Sequence, residues 1–424
     1  MKKFSINIER LESRKLLSVA PNDPSIHKPV VAVIDSGLDV NHEALKSYVW
    51  TNPNEIPNNN IDDDHDGYID DINGWNFNAN NNIVQDGYGH GTSVGGIIAS
   101  YGPVSLMVLK FQNDSGVGFT GDAISAINYA IMMKKNYGID VVAINASWGG
   151  TTGYSSMLED AIKRANEANI VFVSAAGNSG SDNDLTPRYP SSYNIDNVIA
   201  VAACGSDNMT LAGFSNYGKN SVDLAARGTA IYSTLPGNRY GYLSGTSMAA
   251  PQVTGAVSAL CNKYGSMSVG EIRSKIFSTV SQSDNLKDKV LTGGSLNVQG
   301  ALGESSFKII APSMPVVVKS WNERVVGSVD IMNINRVRGW VLDSQNIHDR
   351  ARVQILINGR EILATDANRY RANLVQWGDR YHGFDIRLNR RMFVRGWNEV
   401  KVIVENKDTG ETKLLASKAI RRIF

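Results

Sequence analysis

The sequence predicts an α/β fold with a mostly parallel central sheet, followed by a C-terminal antiparallel β-sandwich domain. Between residues 30 and 300, short β-branched apolar runs lead through Gly- or Asp-rich turns into stretches of helical period, the alternation of a parallel sheet with helical crossovers. Beyond residue 320 the period becomes two: VGSVDIM, RVRGWVLD, ARVQILING, HGFDIRLN, NEVKVIVEN and TKLLASKAI alternate apolar and polar residues between turns. That is how antiparallel strands with one buried face read. Charge divides at the same place. Residues 306–424 hold 21 lysines and arginines against 12 aspartates and glutamates, or +9, so a chain of net charge +1 leaves −8 to the remainder.

Taken in order, the strands are expected at Val30–Ile34, Val104–Phe111, Asp140–Asn145, Ile170–Ala175 and Val198–Ala202. Each is short and almost wholly apolar, which suits a strand covered on both faces. Helical period follows at Thr92–Ser100, Asp122–Lys135, Ser155–Ala168, Thr246–Lys263 and Val269–Val280. In such a sheet a site forms at the carboxyl ends of the strands, where the loops converge. A Pro-containing, weakly patterned stretch from Phe307 to Val318 reads as a linker. The expected division is a leader at 1–29, the α/β domain at 30–305, a linker at 306–320 and the sandwich at 321–424.

A chain of 424 residues exceeds what one compact core usually serves. Hydrophobic residues make up 42% and charged residues 20%, with 39 glycines, which favours a loop-rich globular fold over a coiled coil or a disordered chain. No apolar run approaches the roughly 20 residues that cross a bilayer, so no transmembrane segment is expected. Nor is a nucleic-acid partner. Cys204 and Cys261 are the only cysteines, and both sit among small apolar residues. They read as buried, unpaired small side chains, with one bridge between them as the alternative. The leader MKKFSINIERLESRKLLS mixes charge throughout and lacks the apolar segment of an ordinary signal peptide. Its LESRKLLS, Leu11 to Ser18, resembles the LExRxLLS-type segment of large exported bacterial proteins, which implies a secreted or cell-surface protein. A basic disordered leader is the alternative.

Three segments carry chemistry when taken together. VAVIDSGLDV ends a strand on Asp35, DGYGHGTSVGGIIAS starts a helix at His90, and SGTSMAAPQVTGA starts another at Ser247. Acyl transfer to a serine needs a base within reach of the hydroxyl and a carboxylate that holds the base in the right tautomer. Singly, each residue reads as a helix cap or a satisfied polar group. Together they supply a nucleophile, a base and an orienting acid. A helix N-terminus at Ser247 favours developing negative charge. Asn178, in VFVSAAGNSG, follows a strand and small residues, so its amide can supply a further donor to an oxyanion. The other histidines, His27, His42, His65, His348 and His382, lack the glycine-rich helix start.

These four motifs, DSGLD, GHGTSVGGI, SAAGNSG and GTSMAAPQVTGA, resemble those of the subtilisin-like serine proteases, the subtilases, in order and in spacing. The resemblance covers about residues 30 to 305, including GGSLNVQGA at 293–301. It implies a three-layer subtilisin-like fold and a serine endopeptidase acting on proteins and peptides. DSGVG at 114–118, with Ser115, Gly116 and Gly118, resembles one substrate-binding edge, and ASWGG at 146–150, with Ser147, Trp148 and Gly149, the other. An extended peptide would add between them as a strand. Ala175, Ala176 and Gly177 would wall the pocket for the residue before the scissile bond. Trp148 stands where the family more often carries a smaller aliphatic residue. It would narrow the cleft or simply pack on the sheet.

The loop IDDDHDGYIDD spaces Asp62, Asp64, Asp66, Tyr68 and Asp70 around Gly67 like the first half of an EF-hand calcium loop. So many carboxylates repel unless a cation neutralises them, and subtilases often carry calcium in acidic insertions. A structural calcium ion is therefore expected, against a solvated acidic loop. Position twelve is Asn73 rather than Glu, so this is no true EF-hand and affinity should be modest. The chain departs from the family in one respect. Secreted subtilases commonly carry a folded prodomain, whereas 29 residues precede the first strand here, implying either unaided folding or an inactive relative. The C-terminal part, with RGWVLD and RANLVQWGDRYHGFDIRL, resembles a sandwich module of exported bacterial enzymes. Its basic surface would hold an anionic polymer, polysaccharide or cell envelope, or serve only as a spacer. The competing function is a catalytically silent surface scaffold that works through that basic domain.

Overall fold

A computed structural model describes residues 28–150, 152–304, 325–343, 351–367, 383–405 and 412–422. All but the last two residues of the expected leader, and the expected linker at 306–320, lie outside them. The first part of the chain runs β1 (Val30–Asp35), β2 (Gly74–Asn76), α1 (His90–Ala99), β3 (Ser105–Lys110), α2 (Thr120–Tyr137), β4 (Val141–Ala146), α3 (Ser156–Glu167), β5 (Val171–Ala175) and β6 (Val198–Cys204). It continues through β7 (Leu224–Arg227), β8 (Ile231–Leu235), β9 (Arg239–Leu243), α4 (Thr246–Tyr264), α5 (Val269–Phe277), β10 (Ser281–Gln282), β11 (Gly294–Ser295) and α6 (Val298–Leu302).

Nine strands form one sheet in the order β10-β11-β7-β6-β5-β4-β1-β3-β2, and only β10 runs antiparallel to its neighbour. Alternation along β1 explains the layers. Val31 and Val33 point into a core shared with α1, α4 and α5, while Val30, Ala32 and Ile34 point into a second core shared with α2 and α3. Both faces of each central strand are therefore covered, which is why its sequence is continuously apolar. Helices on both faces of a mostly parallel sheet make the three-layer α/β architecture expected from the sequence.

The topology places the site. From β1 the chain steps to β3 on one side, then crosses back through α2 to β4 on the other, and β5, β6 and β7 continue outward. The order of winding reverses at β1, so a crevice opens beyond its carboxyl end. Asp35 is the last residue of that strand. Helix ends agree with the sequence at some points and not at others. Gly138 caps α2 in the left-handed region, and Ser268 closes a capping box with Glu271 at the start of α5. α1 begins at His90, two residues before the expected Thr92, because the N-cap is the left-handed Gly89 rather than a side-chain acceptor.

Cys204 and Cys261 are both free and buried, in different apolar clusters. Burial pushes both thiols up to about 12, so neither is a ready thiolate.

The C-terminal part forms two antiparallel sheets from β12 (Val325–Asn333), β13 (Arg336–Asp343), β14 (Arg352–Ile357), β15 (Arg360–Asp366), β16 (Gly383–Arg387), β17 (Gly396–Glu405) and β18 (Thr412–Arg422). Their orders are β12-β13-β16 and β15-β14-β17-β18. Val337, Val341, Phe384 and Ile386 of the first sheet meet Val353, Ile355, Val400, Val402 and Val404 of the second in one core. The period of two is thus the alternation of a sandwich's inner and outer faces.

Candidate active site

Asp35 is fully buried, and its Oδ1 accepts from the Ser36 backbone N–H and from His90 Nδ1, both at 2.8 Å. The first residue of α1 is thereby tied to the end of β1. Burial disfavours the imidazolium, but the Asp35 carboxylate, with a smaller contribution from Asp86, outweighs it and holds the His90 pKa above its ordinary 6.5. The contact requires glycine at position 91. A Cβ there would lie 2.1 Å from the Gly37 carbonyl oxygen and 3.2 Å from Asp35. His42, by contrast, is a satisfied core histidine, with one ring nitrogen on the Ala44 N–H and the other on the Arg239 carbonyl. His27, His348 and His382 lie outside the described residues.

Buried groups that the sequence did not single out fix this turn. Asp86 accepts through Oδ1 from Ser36 Oγ, Tyr88 N–H and Gly89 N–H, and through Oδ2 from the Thr92 N–H and hydroxyl. Ser36 Oγ in turn accepts from the Gly91 N–H at 2.9 Å. Lys110 stands opposite Asp35 on β3 and donates to the Ser36 and Gln85 carbonyls and to Asp114. An acidic residue four positions before the histidine was the available signal for Asp86. Nothing local marked Lys110.

Ser247 opens α4, and Pro251 explains how it is held. Proline lacks the N–H that would bond the carbonyl four residues back, so the Ser247 carbonyl is left without a helical partner. Ser147 Oγ donates to that carbonyl at 2.9 Å, and the Ser147 carbonyl accepts from Ser247 Oγ at 2.8 Å. The reciprocal pair locks the Ser247 turn to the exit of β4, the strand beside β1. In parallel register Val33 faces Asn145, so Asp35 and Ser147 leave the sheet at the same level. The hydroxyl of Ser247 rests on Ser147, not on His90, and α1 and α4 pack together.

Asn178 lies directly after the exit of β5. Its Oδ1 accepts from the Thr246 N–H at 2.8 Å and the Thr246 hydroxyl at 3.0 Å. A backbone N–H can pair only with the amide oxygen, so the orientation of the side chain is settled. Its NH2 group has no partner among the described residues and faces the start of α4, where the Ser247 N–H is unbonded within the helix.

The other expected residues are placed as follows. Ser115, Gly116 and Gly118 sit on a tight turn, with Ser115 N–H on Asn113 Oδ1 and Gln112 bridged to Gly118. Tyr88, 55% exposed, covers Gly116, and a Cβ there would lie 2.7 Å from its ring. Trp148 packs its ring on Phe111 at 4.8 Å, against the α2–α3 core, and its indole N–H is buried without a partner. Ala175 and Ala176 are buried at the end of β5, and the Gly177 N–H donates to the Thr246 hydroxyl at 3.1 Å.

In the acidic loop, Glu55, Asp62 and Asp64 each bring a carboxylate oxygen within 4.8 Å of the others, a group that could hold a metal ion. Glu55 was missed because it precedes the motif. Asp66 adjoins the group; its Oδ2 is buried without a partner, and burial, then the charge of Asp71, pushes its pKa up to about 8. Asp70 points elsewhere, accepting from the Asn59 and Asn60 N–H groups. The Tyr68 ring packs edge-on against Trp75 and Tyr129, and its N–H donates to Asp66. Such a donor set, all carboxylate oxygen, fits a hard divalent cation.

The subtilase family model matches residues 27–301. Subtilisin DY of Bacillus licheniformis is 35% identical over 283 residues, spanning 64% of this chain and 89% of that protein. Subtilisin-like protease 2 of Plasmodium falciparum (isolate 3D7) is 33% identical over 290 residues; the match spans 64% of this chain but 20% of that protein. The crystal structure of a cold adapted subtilisin-like serine proteinase is 27% identical, covering 63% of this chain and 86% of that chain at a TM-score of 0.49. No helix among the described residues is long and apolar enough to cross a membrane. With the family model matching well over half of its length, the chain belongs to the subtilase family, and residues 27–301 are a subtilisin-like serine endopeptidase domain.

Proposed function

We propose that the chain hydrolyses peptide bonds through an acyl-enzyme on Ser247, with His90 as general base, Asp35 as its orienting carboxylate and Asn178 as an oxyanion donor. The observation that carries this is the 2.8 Å contact of His90 Nδ1 with Asp35 at the sheet edge where Ser247 is anchored. That contact leaves Nε2 as the basic nitrogen. Ser247 Oγ turns from Ser147 to Nε2, gives up its proton and bonds to the scissile carbonyl carbon. The carbonyl oxygen takes the negative charge and accepts from the Asn178 amide and the Ser247 N–H. The imidazolium then protonates the departing amine, and water releases the acyl group by the same steps.

Extended protein segments are the proposed substrates, lying as an added strand between 114–118 and 146–150. Asn178→Ala is the first test. It is expected to lower kcat on casein or a chromogenic peptide by about 10² to 10³, the loss measured when such a donor is removed from subtilisin, with KM little changed. An unchanged kcat contradicts the assignment.

A calcium ion on Glu55, Asp62 and Asp64, with Asp66 beside them, is proposed to hold the 55–71 loop. When bound, its charge would offset the crowded carboxylates, and binding to the folded state alone raises stability by mass action. Chelator is therefore expected to lower Tm by several degrees and excess calcium to restore it. A Tm indifferent to both counts against the ion. A secreted or cell-surface location, the 30–305 and 321–424 domain limits and an envelope- or polysaccharide-binding role for the sandwich are part of the same reading; the last rests on net charge alone.

A further inference from the structure

We propose that Arg188 makes the enzyme select an acidic side chain, glutamate or aspartate, at the substrate residue preceding the scissile bond; this rests on the acyl-enzyme reading of Ser247. Two chain segments leave adjacent parallel strands there, Ser147–Gly150 from β4 and Ala175–Gly177 from β5, with Ala146 opposite Ser174. Both touch the Ser247 turn at one end: the Ser147 carbonyl accepts from Ser247 Oγ, and the Gly177 N–H donates to the Thr246 hydroxyl. Both touch the segment 183–190 at the other. Asn183 Nδ2 donates to the Ala176 carbonyl at 3.0 Å, and the Gly150 N–H donates to the Tyr189 carbonyl at 3.1 Å. The two segments thus run from the nucleophile to residues 183–190, and the space they frame is where the proposal places the substrate side chain.

Ser147 spends its hydroxyl on the Ser247 carbonyl and Trp148 packs its ring on Phe111, so the rest of the walls is backbone and methyl groups. Gly149 could not be otherwise, since at φ +116° its Cβ would lie 2.5 Å from Pro190. Arg188 is the charged side chain bonded to a wall, through Nη1 to the Gly150 carbonyl at 3.0 Å. It is half-buried, its Nε is buried without a partner, and it forms no ion pair among the described residues. With Nη1 engaged and Nε buried without a partner, Nη2 and the positive charge of the guanidinium remain for a substrate carboxylate. A partly desolvated cation without an anion is costly. A substrate carboxylate reaching into that space supplies the missing partner, whereas a lysine is repelled and a leucine leaves the guanidinium unpaired.

The test is a peptide series varied only at the residue before the scissile bond, with glutamate, its neutral isostere glutamine, leucine and lysine. The parent enzyme is expected to show kcat/KM about ten- to a hundredfold higher for glutamate than for glutamine, falling with added salt. Arg188→Gln keeps a donor for the Gly150 carbonyl but loses the charge, and should bring that ratio close to one; Arg188→Glu should place lysine above glutamate. A ratio near one in the parent, or one that survives in Arg188→Gln, overturns the proposal. Fluorophosphonate labelling of the parent, which needs no pocket occupant, separates the two levels. A parent that labels but shows no acidic preference refutes the role of Arg188 alone, and one that does not label refutes the acyl-enzyme reading and this proposal with it.

Discussion

Replacing Ser247 with alanine is expected to lower kcat by about 10⁶, the loss found when the nucleophile is removed from subtilisin, while leaving the fold in place. The two effects separate because the hydroxyl makes one hydrogen bond, to the Ser147 carbonyl, whereas the bond that anchors the turn uses the Ser247 carbonyl. Losing the first bond costs on the order of 1 kcal/mol, and the second survives the substitution. Turnover of a chromogenic peptide, beside a thermal melt, reads both. A variant with a tenth of the parent's rate would mean that another group attacks the substrate.

Asp35→Asn should lower kcat by about 10⁴ and move the pH profile as well. The base must be neutral to accept the proton from Ser247, so activity is lost as pH falls through the His90 pKa. In the parent, Asp35 holds that pKa above 6.5 against the opposing effect of burial. The acid limb of kcat/KM is therefore expected above 6.5. In the asparagine variant that carboxylate is gone, while burial, the largest single influence, and the weaker opposing charge of Asp86 remain, so the limb should move below 6.5. An amide can also present its NH2 to Nδ1 and select the wrong tautomer, which is why the rate falls so far although the shape is kept. A limb that does not move between parent and variant would show that Asp35 does not set the charge of His90.

The parts legible in the sequence are those whose signal is local. Strands β1 and β3 to β6 were marked by unbroken apolar runs because helices cover both faces. The sandwich was marked by its period of two because one face is wet, as the alternating burial of β14 and β17 reflects. Asp35, His90, Asn178 and Ser247 were legible because each sits in a turn of small residues.

What escaped is made of long-range pairs. Strands β10 and β11 are two residues long, too short for any period, and the β8–β9 hairpin is only half-buried, so its residues carry no clean alternation. Asp86 matters through Ser36, fifty positions away, and Arg188 through Gly150. Lys110 looks like a strand's polar end until three acceptors surround it. The spacing of the acidic loop suggested a ligand set that includes Asp70 and omits Glu55. The backbone instead turns Asp70 onto Asn59 and Asn60 and brings Glu55 to the N–H groups of Asp63 and Asp64.

Whether Asp35 and His90 together activate Ser247 is read from the rate at which a fluorophosphonate modifies the purified protein as pH is varied, with the adduct located by peptide mass. One adduct is expected, on Ser247, forming with a rate that rises through a single midpoint above 6.5 and that collapses in His90→Ala. A rate that ignores pH, or an adduct on any other residue, would contradict that activation.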